Sequence, residues 1–144
     1  MAGAKIYDAD QISLSFMGIP IDSGYADGEF LTIEQAEDDF VAKVGTDGEV
    51  TRSKTNNRLA TIKVKLMLTS SGNSALSALN NLDRATPGGA GVGPMLVRDR
   101  QGTSLYTASK CWISRPPDVS FDREPTAREW TLQAANLVRF DGNT

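Results

Sequence analysis

VGTDGEVTRSKTNNRLATIKVKLML, residues 44–68, joins a long polar arm to the clearest strand in the sequence. In its second half, residues 59–68, Ala60, Ile62, Val64, Leu66 and Leu68 alternate with Thr61, Lys63, Lys65 and Met67. A period of two places the apolar set on one face, as a strand with one buried and one wet face requires. The first half is the opposite kind of sequence. Residues 45–58 carry Asp47, Gly48, Glu49, Arg52, Ser53, Lys54, Asn56, Asn57 and Arg58 and have almost nothing to bury. A polar arm of this length is costly to order unless something outside the subunit holds it. On composition alone a solvated surface loop is favoured.

Working outward toward the N-terminus, residues 11–17 (QISLSFM) set Ile12, Leu14 and Phe16 against Ser13, Ser15 and Met17, a first strand. Gly18-Ile19-Pro20-Ile21 interrupts it, and Pro20, lacking a donor, suits a sheet edge or a break. A turn-rich connection, residues 22–28, leads to a second strand at 29–34 (EFLTIE) and then the acidic run 34–39. Residues 40–44 (FVAKV) read as a short strand entering the arm.

Beyond the central strand, Ala75, Leu76, Ala78, Leu79 and Leu82 form an apolar stripe at helical spacing, with Asn73 or Ser74 as N-cap. The stripe predicts a helix over about residues 73–86 that buries Leu76, Leu79 and Leu82 against a sheet; Pro87-Gly88-Gly89 ends it. Residues 94–98 and 103–114 read as strands joined by a turn at 99–102. Arg115-Pro116-Pro117-Asp118 breaks the ladder, and 119–121 reads as a short extended piece. Pro116 and Pro117 restrict the backbone, so 118–124 (DVSFDRE) is expected to be a fixed turn anchored by Phe121, with Arg123 paired to Asp122 or Glu124. Residues 126–140 close the chain as a long strand with Trp130, Leu132 and Ala134 on one face; a helix competes, and Thr and Trp favour the strand.

The expected fold is therefore mainly β: an antiparallel β-sandwich or small barrel with one flanking α-helix and a long extended arm at 45–58. At 144 residues the chain is expected to form a single domain spanning 1–144. The net charge of −3 is spread without a basic block, which argues against tight nucleic-acid binding as the primary activity. The N-terminus, MAGAKIYDADQ, has no apolar run of signal-peptide length, and no stretch approaches a membrane span. A protein made in the cytoplasm, with no membrane partner, is the expectation.

Catalytic chemistry is hard to find. The chain contains no histidine, which removes His-based acid–base, nucleophile and metal-site arrangements. Its single cysteine, Cys111, precedes Trp112 and Ile113 and reads as a buried, reduced thiol. Gly89-Ala90-Gly91-Val92-Gly93 follows a helix, precedes a strand and lacks the Lys-Ser/Thr of a phosphate loop. Glu34, Glu37, Asp38 and Asp39 lack the spacing of a calcium loop and read as a solvated charged face. No cofactor, no metal and no enzymatic activity are expected.

Four stretches carry a resemblance: SGYADGEFLTIEQAEDDF (23–40), GTDGEVTRSKTNNRLATIKVKLM (45–67), GVGPMLVRDRQGT (91–103) and PPDVSFDREPTAREW (116–130). Together they resemble the tail-tube proteins of contractile-tailed bacteriophages. That resemblance implies stacked hexameric rings, a bore that passes double-stranded DNA without specific binding, a tail sheath outside, and a place in the virion. A related contractile injection system, type VI-like or bacteriocin, is the alternative; a soluble binding module with an exposed arm is a third. Under the tube reading, Asp47, Glu49, Arg52, Lys54 and Arg58 are expected to make intersubunit contacts. Glu34, Glu37, Asp38, Asp39, Lys63 and Lys65 are the candidate lumen or ring-contact charges. The acidic run is expected to balance the lysines, because a strand at 29–34 beside 59–68 sets opposite charges across from each other.

Overall fold

The computed structural model describes residues 4–21, 24–89 and 91–143. In chain order the strands are β1 (Ile12–Phe16), β2 (Ile19–Ile21), β3 (Leu31–Gln35), β4 (Phe40–Val44), β5 (Val50–Lys54) and β6 (Ala60–Met67). The helix α1 (Gly72–Ala85) follows, then β7 (Gly93–Asp99), β8 (Leu105–Arg115), β9 (Ala127–Ala135) and β10 (Val138–Phe140). The main sheet runs β2-β1-β7-β8-β9-β6-β3, with β10 also on β8, and every recorded pairing is antiparallel.

The central strand alternates as its sequence requires. Ala60, Ile62, Val64 and Leu66 are buried, while Thr61, Lys63, Lys65 and Met67 lie on the other face. These four join Leu14 and Phe16 of β1, Met95 and Val97 of β7, Cys111 and Ile113 of β8, and Trp130 and Leu132 of β9 in one core. The sheet curls, since a single cleft is lined by Leu31 and Ile33 of β3 and by Ile12, Val97 and Tyr106 from β1, β7 and β8. The result is a sandwich-like antiparallel fold with a helix laid over it.

Several local expectations change. Met17 and Gly18 both have left-handed backbones (φ 52° and 80°), so the interruption after β1 is a tight hairpin, and Pro20 sits on the edge strand β2. The N-cap of α1 is Ser71, without a side-chain cap. Asn73 instead accepts from the Trp130 indole N–H (2.9 Å) and donates to the Met67 carbonyl (2.9 Å), tying helix to sheet. Leu76 is buried and Leu79 packs on the core, but Leu82 is 53% exposed: the covered face of the helix runs on through Asn80 and Asp83, and Leu82 lies off it. The closing strand is interrupted at Asn136 (φ 53°), where Leu137 N–H turns to the Arg58 carbonyl (3.3 Å). Asparagine tolerates that conformation better than most residues. Residues 119–121 form no strand, and Phe121, expected to be an anchor, is 80% exposed. Asp118 takes its ion pair from Arg115 (3.1 Å), and none of the recorded ion pairs involves Arg123.

Candidate assembly surfaces

The arm is a β-hairpin. β4 and β5 pair as a separate two-stranded sheet, Phe40 opposite Lys54 and Val44 opposite Val50. The turn closes through Gly45 N–H to the Glu49 carbonyl (2.7 Å), with Glu49 N–H on the Asp47 carboxylate (3.0 Å) and Gly48 left-handed at φ 87°. At its root, Thr55 N–H donates to the Asp39 carbonyl (2.8 Å) and Gln35 Nε2 to the Asp39 carboxylate (2.7 Å). Every residue of both strands is exposed, including Phe40, Val41, Val44 and Val50.

The pleat divides the hairpin into two faces. Cross-strand pairing puts Phe40, Ala42 and Val44 on the same face as Val50, Arg52 and Lys54. The Arg52 guanidinium lies 4.1 Å from the Phe40 ring centroid, a cation–π contact that shields part of the ring. Asp47 and Glu49 sit in the turn, and Arg58 lies past β5 beside Asp39 and Arg139.

The expected charges divide into two groups. β3 does lie beside β6, with Thr32 opposite Lys63 and Glu34 opposite Thr61. Glu29, Glu34, Lys63, Lys65 and Glu129 therefore line one shallow patch on the sheet's polar face. The ion pair there is Lys65 with Glu129 of β9 (3.8 Å), not with the acidic run. Glu37, Asp38 and Asp39 lie beyond β3, at the hairpin's root. Three carboxylates against two ammonium groups leave the patch slightly negative. Nothing in the period-two pattern of β6 pointed to Glu129; its role comes from strand order, which places β9 next to β6.

A third feature was missed at the C-terminus. Asp141 accepts from Arg139 through Nε and Nη2 (both 3.0 Å) and from the Tyr106 hydroxyl (2.6 Å). Those hydrogen bonds, Arg139's first, hold the Asp141 carboxyl below its usual range, and the bond to Asp141 raises the Tyr106 hydroxyl. Residues 142–143 then clasp the β7–β8 turn through Thr103 N–H to the Asn143 carbonyl, Asn143 N–H to Thr103 Oγ1 (both 2.8 Å) and Ser104 Oγ to the Gly142 carbonyl (3.2 Å). Cys111 is free and buried, and burial pushes its thiol up to about 12. Among the described residues, no group of three or more His, Cys, Asp or Glu is placed to hold a metal ion. Among the same residues, no helix is long and apolar enough to cross a membrane.

The same fold recurs in chains of solved contractile injection systems. The chain superposes on the tube-terminating cap of the anti-feeding prophage with a TM-score of 0.62 at 9% identity, covering 97% of this chain and 94% of that one. It matches the PVC sheath/tube terminator in the extended state with a TM-score of 0.59 at 12% identity, over 97% and 100% of the two chains. A chain of the PVC sheath–tube complex gives 0.59 at 10% identity, over 92% and 90%. The family itself is shown by sequence: residues 12–141 match the Bacteriophage PhiTE tail tube protein family, and the chain belongs to it. It is also 30% identical over 116 residues to "Structural protein ORF10" of Pseudomonas phage KPP10, covering 81% of this chain and 67% of that protein.

Proposed function

We propose that this chain is the repeating subunit of a phage tail tube, assembling into stacked hexameric rings whose bore conducts the genome during ejection. The observation that carries this reading is the hairpin β4–β5, fully exposed and outside the main sheet, on a chain of the tail-tube family. An isolated two-stranded hairpin is marginal in water, so one that displays Phe40, Val41, Val44 and Val50 is suited to being completed by another copy. The charges in and below it, Asp47, Glu49, Arg52, Lys54 and Arg58, supply complementary contacts. Each contributes roughly 0–1 kcal/mol, but the contribution recurs at every subunit.

On this reading the protein is structural and not an enzyme, is built into the virion after synthesis in the host cytoplasm, and carries a sheath on its outer surface. The bore is neutral to negative, so that DNA passes without phosphate binding. The slightly negative patch of Glu29, Glu34, Lys63, Lys65 and Glu129 is compatible with a bore-facing or ring-facing position. The structural neighbours include a tube-terminating cap and a sheath/tube terminator of an extracellular contractile injection system, which makes a tube or cap subunit of such a machine the second reading. Sedimentation velocity across a concentration series tests the proposal. Hexamers and larger polymers are expected; a monomer persisting at the highest concentration would overturn it and favour a soluble binding module.

A further inference from the structure

The main strands run between two ends of the molecule, and two exposed apolar features, the hairpin and the loop before β9, sit at opposite ends. β3 ends at Gln35 and β6 begins at Ala60, so the hairpin is rooted at one end. Met67 of β6 pairs with Ala127 of β9, so the loop 116–126, between β8 and β9, is rooted at the other. The eight residues of β6 separate these ends by about 25 Å at roughly 3.3 Å per residue. The hairpin's root and the loop therefore stand a strand's length apart within one subunit.

The two surfaces complement each other. The loop exposes Val119 (68%) and Phe121 (80%) next to Asp122 and Glu124. Neither acid has an ion pair within 4.0 Å among the described residues, whereas Asp118 is engaged by Arg115. Its shape is fixed from below: Arg128 donates to the Asp118 carbonyl (3.4 Å) and stacks 5.1 Å from the Phe121 ring centroid, and Thr126 Oγ1 donates to the Ser120 carbonyl (3.4 Å). The hairpin face offers Phe40, Val44 and Val50 beside Arg52 and Lys54, two cations likewise without ion pairs among the described residues. An apolar patch rimmed by cations and one rimmed by acids are matched in chemistry and sign.

We infer that the face Phe40/Val44/Val50/Arg52/Lys54 of one copy docks on the loop Val119/Phe121/Asp122/Glu124 of a second copy. The contact is heterologous and head to tail, so it propagates from copy to copy instead of closing a two-fold dimer. It rests on the tube reading and specifies which surfaces of this chain meet.

Charge reversal in both directions tests the pairing. R52E/K54E and D122K/E124K are each expected to raise the concentration needed for polymer formation about tenfold or more, with the monomer's circular dichroism melt unchanged. Mixing the two variants restores polymers, because each then meets a copy of opposite sign, and the quadruple variant restores them alone. Phe121→Ser is expected to weaken assembly without any charge change. If both charge variants polymerise like the parent, or if neither mixture nor quadruple variant recovers, the pairing is wrong while the tube reading stands. If the parent chain forms no polymer, both fail.

Discussion

Asn73 sits where a helix N-cap is expected, yet its side chain works across the fold. Its amide oxygen takes the buried Trp130 indole N–H while its amide nitrogen satisfies the Met67 carbonyl. Asn73→Ala is expected to destabilise the protein by about 1–3 kcal/mol, because it leaves an indole N–H without its partner. Urea denaturation measures this, and a change below about 0.5 kcal/mol would mean that water replaces the amide. That tie joins residues 57 apart in sequence, which is why local capping rules point elsewhere. Cys111 makes a second prediction at this scale. Its thiol is raised by burial from 9.0 to about 12, so the folded state holds its proton more tightly than the unfolded state. The resulting stability is fully present below about pH 9 and is lost as pH rises toward 12. Thiol alkylation at pH 8 should accordingly be slow until denaturant is added; rapid labelling of the native protein would contradict the burial.

At the scale of elements, what was legible depended on how many apolar residues each piece devotes to the core. β6 was read correctly, since each core-facing position from Ala60 to Leu66 is apolar and each facing the other side is not, save Met67. β5 was missed because VTRSK buries nothing; Asp47-Gly48 followed by Val50-Thr51 is the turn-and-strand signal that marks it. The helix was found from its stripe, but the stripe is longer than the buried contact. Leu76→Ala is expected to cost about 2–5 kcal/mol and Leu82→Ala less than about 0.5, both read by chemical denaturation. Equal losses would contradict the position of Leu82 off the covered face of the helix. The C-terminal clasp was invisible because its hydrogen bonds link residues 103–106 to 141–143, a pairing that no periodicity encodes. Since Asp141 is held below its usual carboxyl range, the clasp is expected to persist as pH falls past the ordinary 3.8 and to open only below it. Amide exchange at Asn143 would follow that opening.

At the scale of the whole molecule, removing residues 47–57 takes away the hairpin turn and β5 but leaves the main sheet's pairings intact. The deleted protein is expected to keep a cooperative melt and to lose polymer formation; polymers that survive the deletion would show that the hairpin is dispensable. Electrostatics of the tube supplies a second prediction. Replacing Glu34 and Glu129 by Gln turns the polar patch from slightly negative to slightly positive. If that face lines the bore, tubes of this variant should retain double-stranded DNA at low salt and release it as salt rises, which the parent tubes should not do. The most direct measurement is electron cryomicroscopy of the concentrated protein, at a resolution that traces the hairpin. Stacked sixfold rings in which β4 and β5 lie against another copy are expected. Monodisperse single subunits, with the hairpin still free in solvent, would contradict the tube reading.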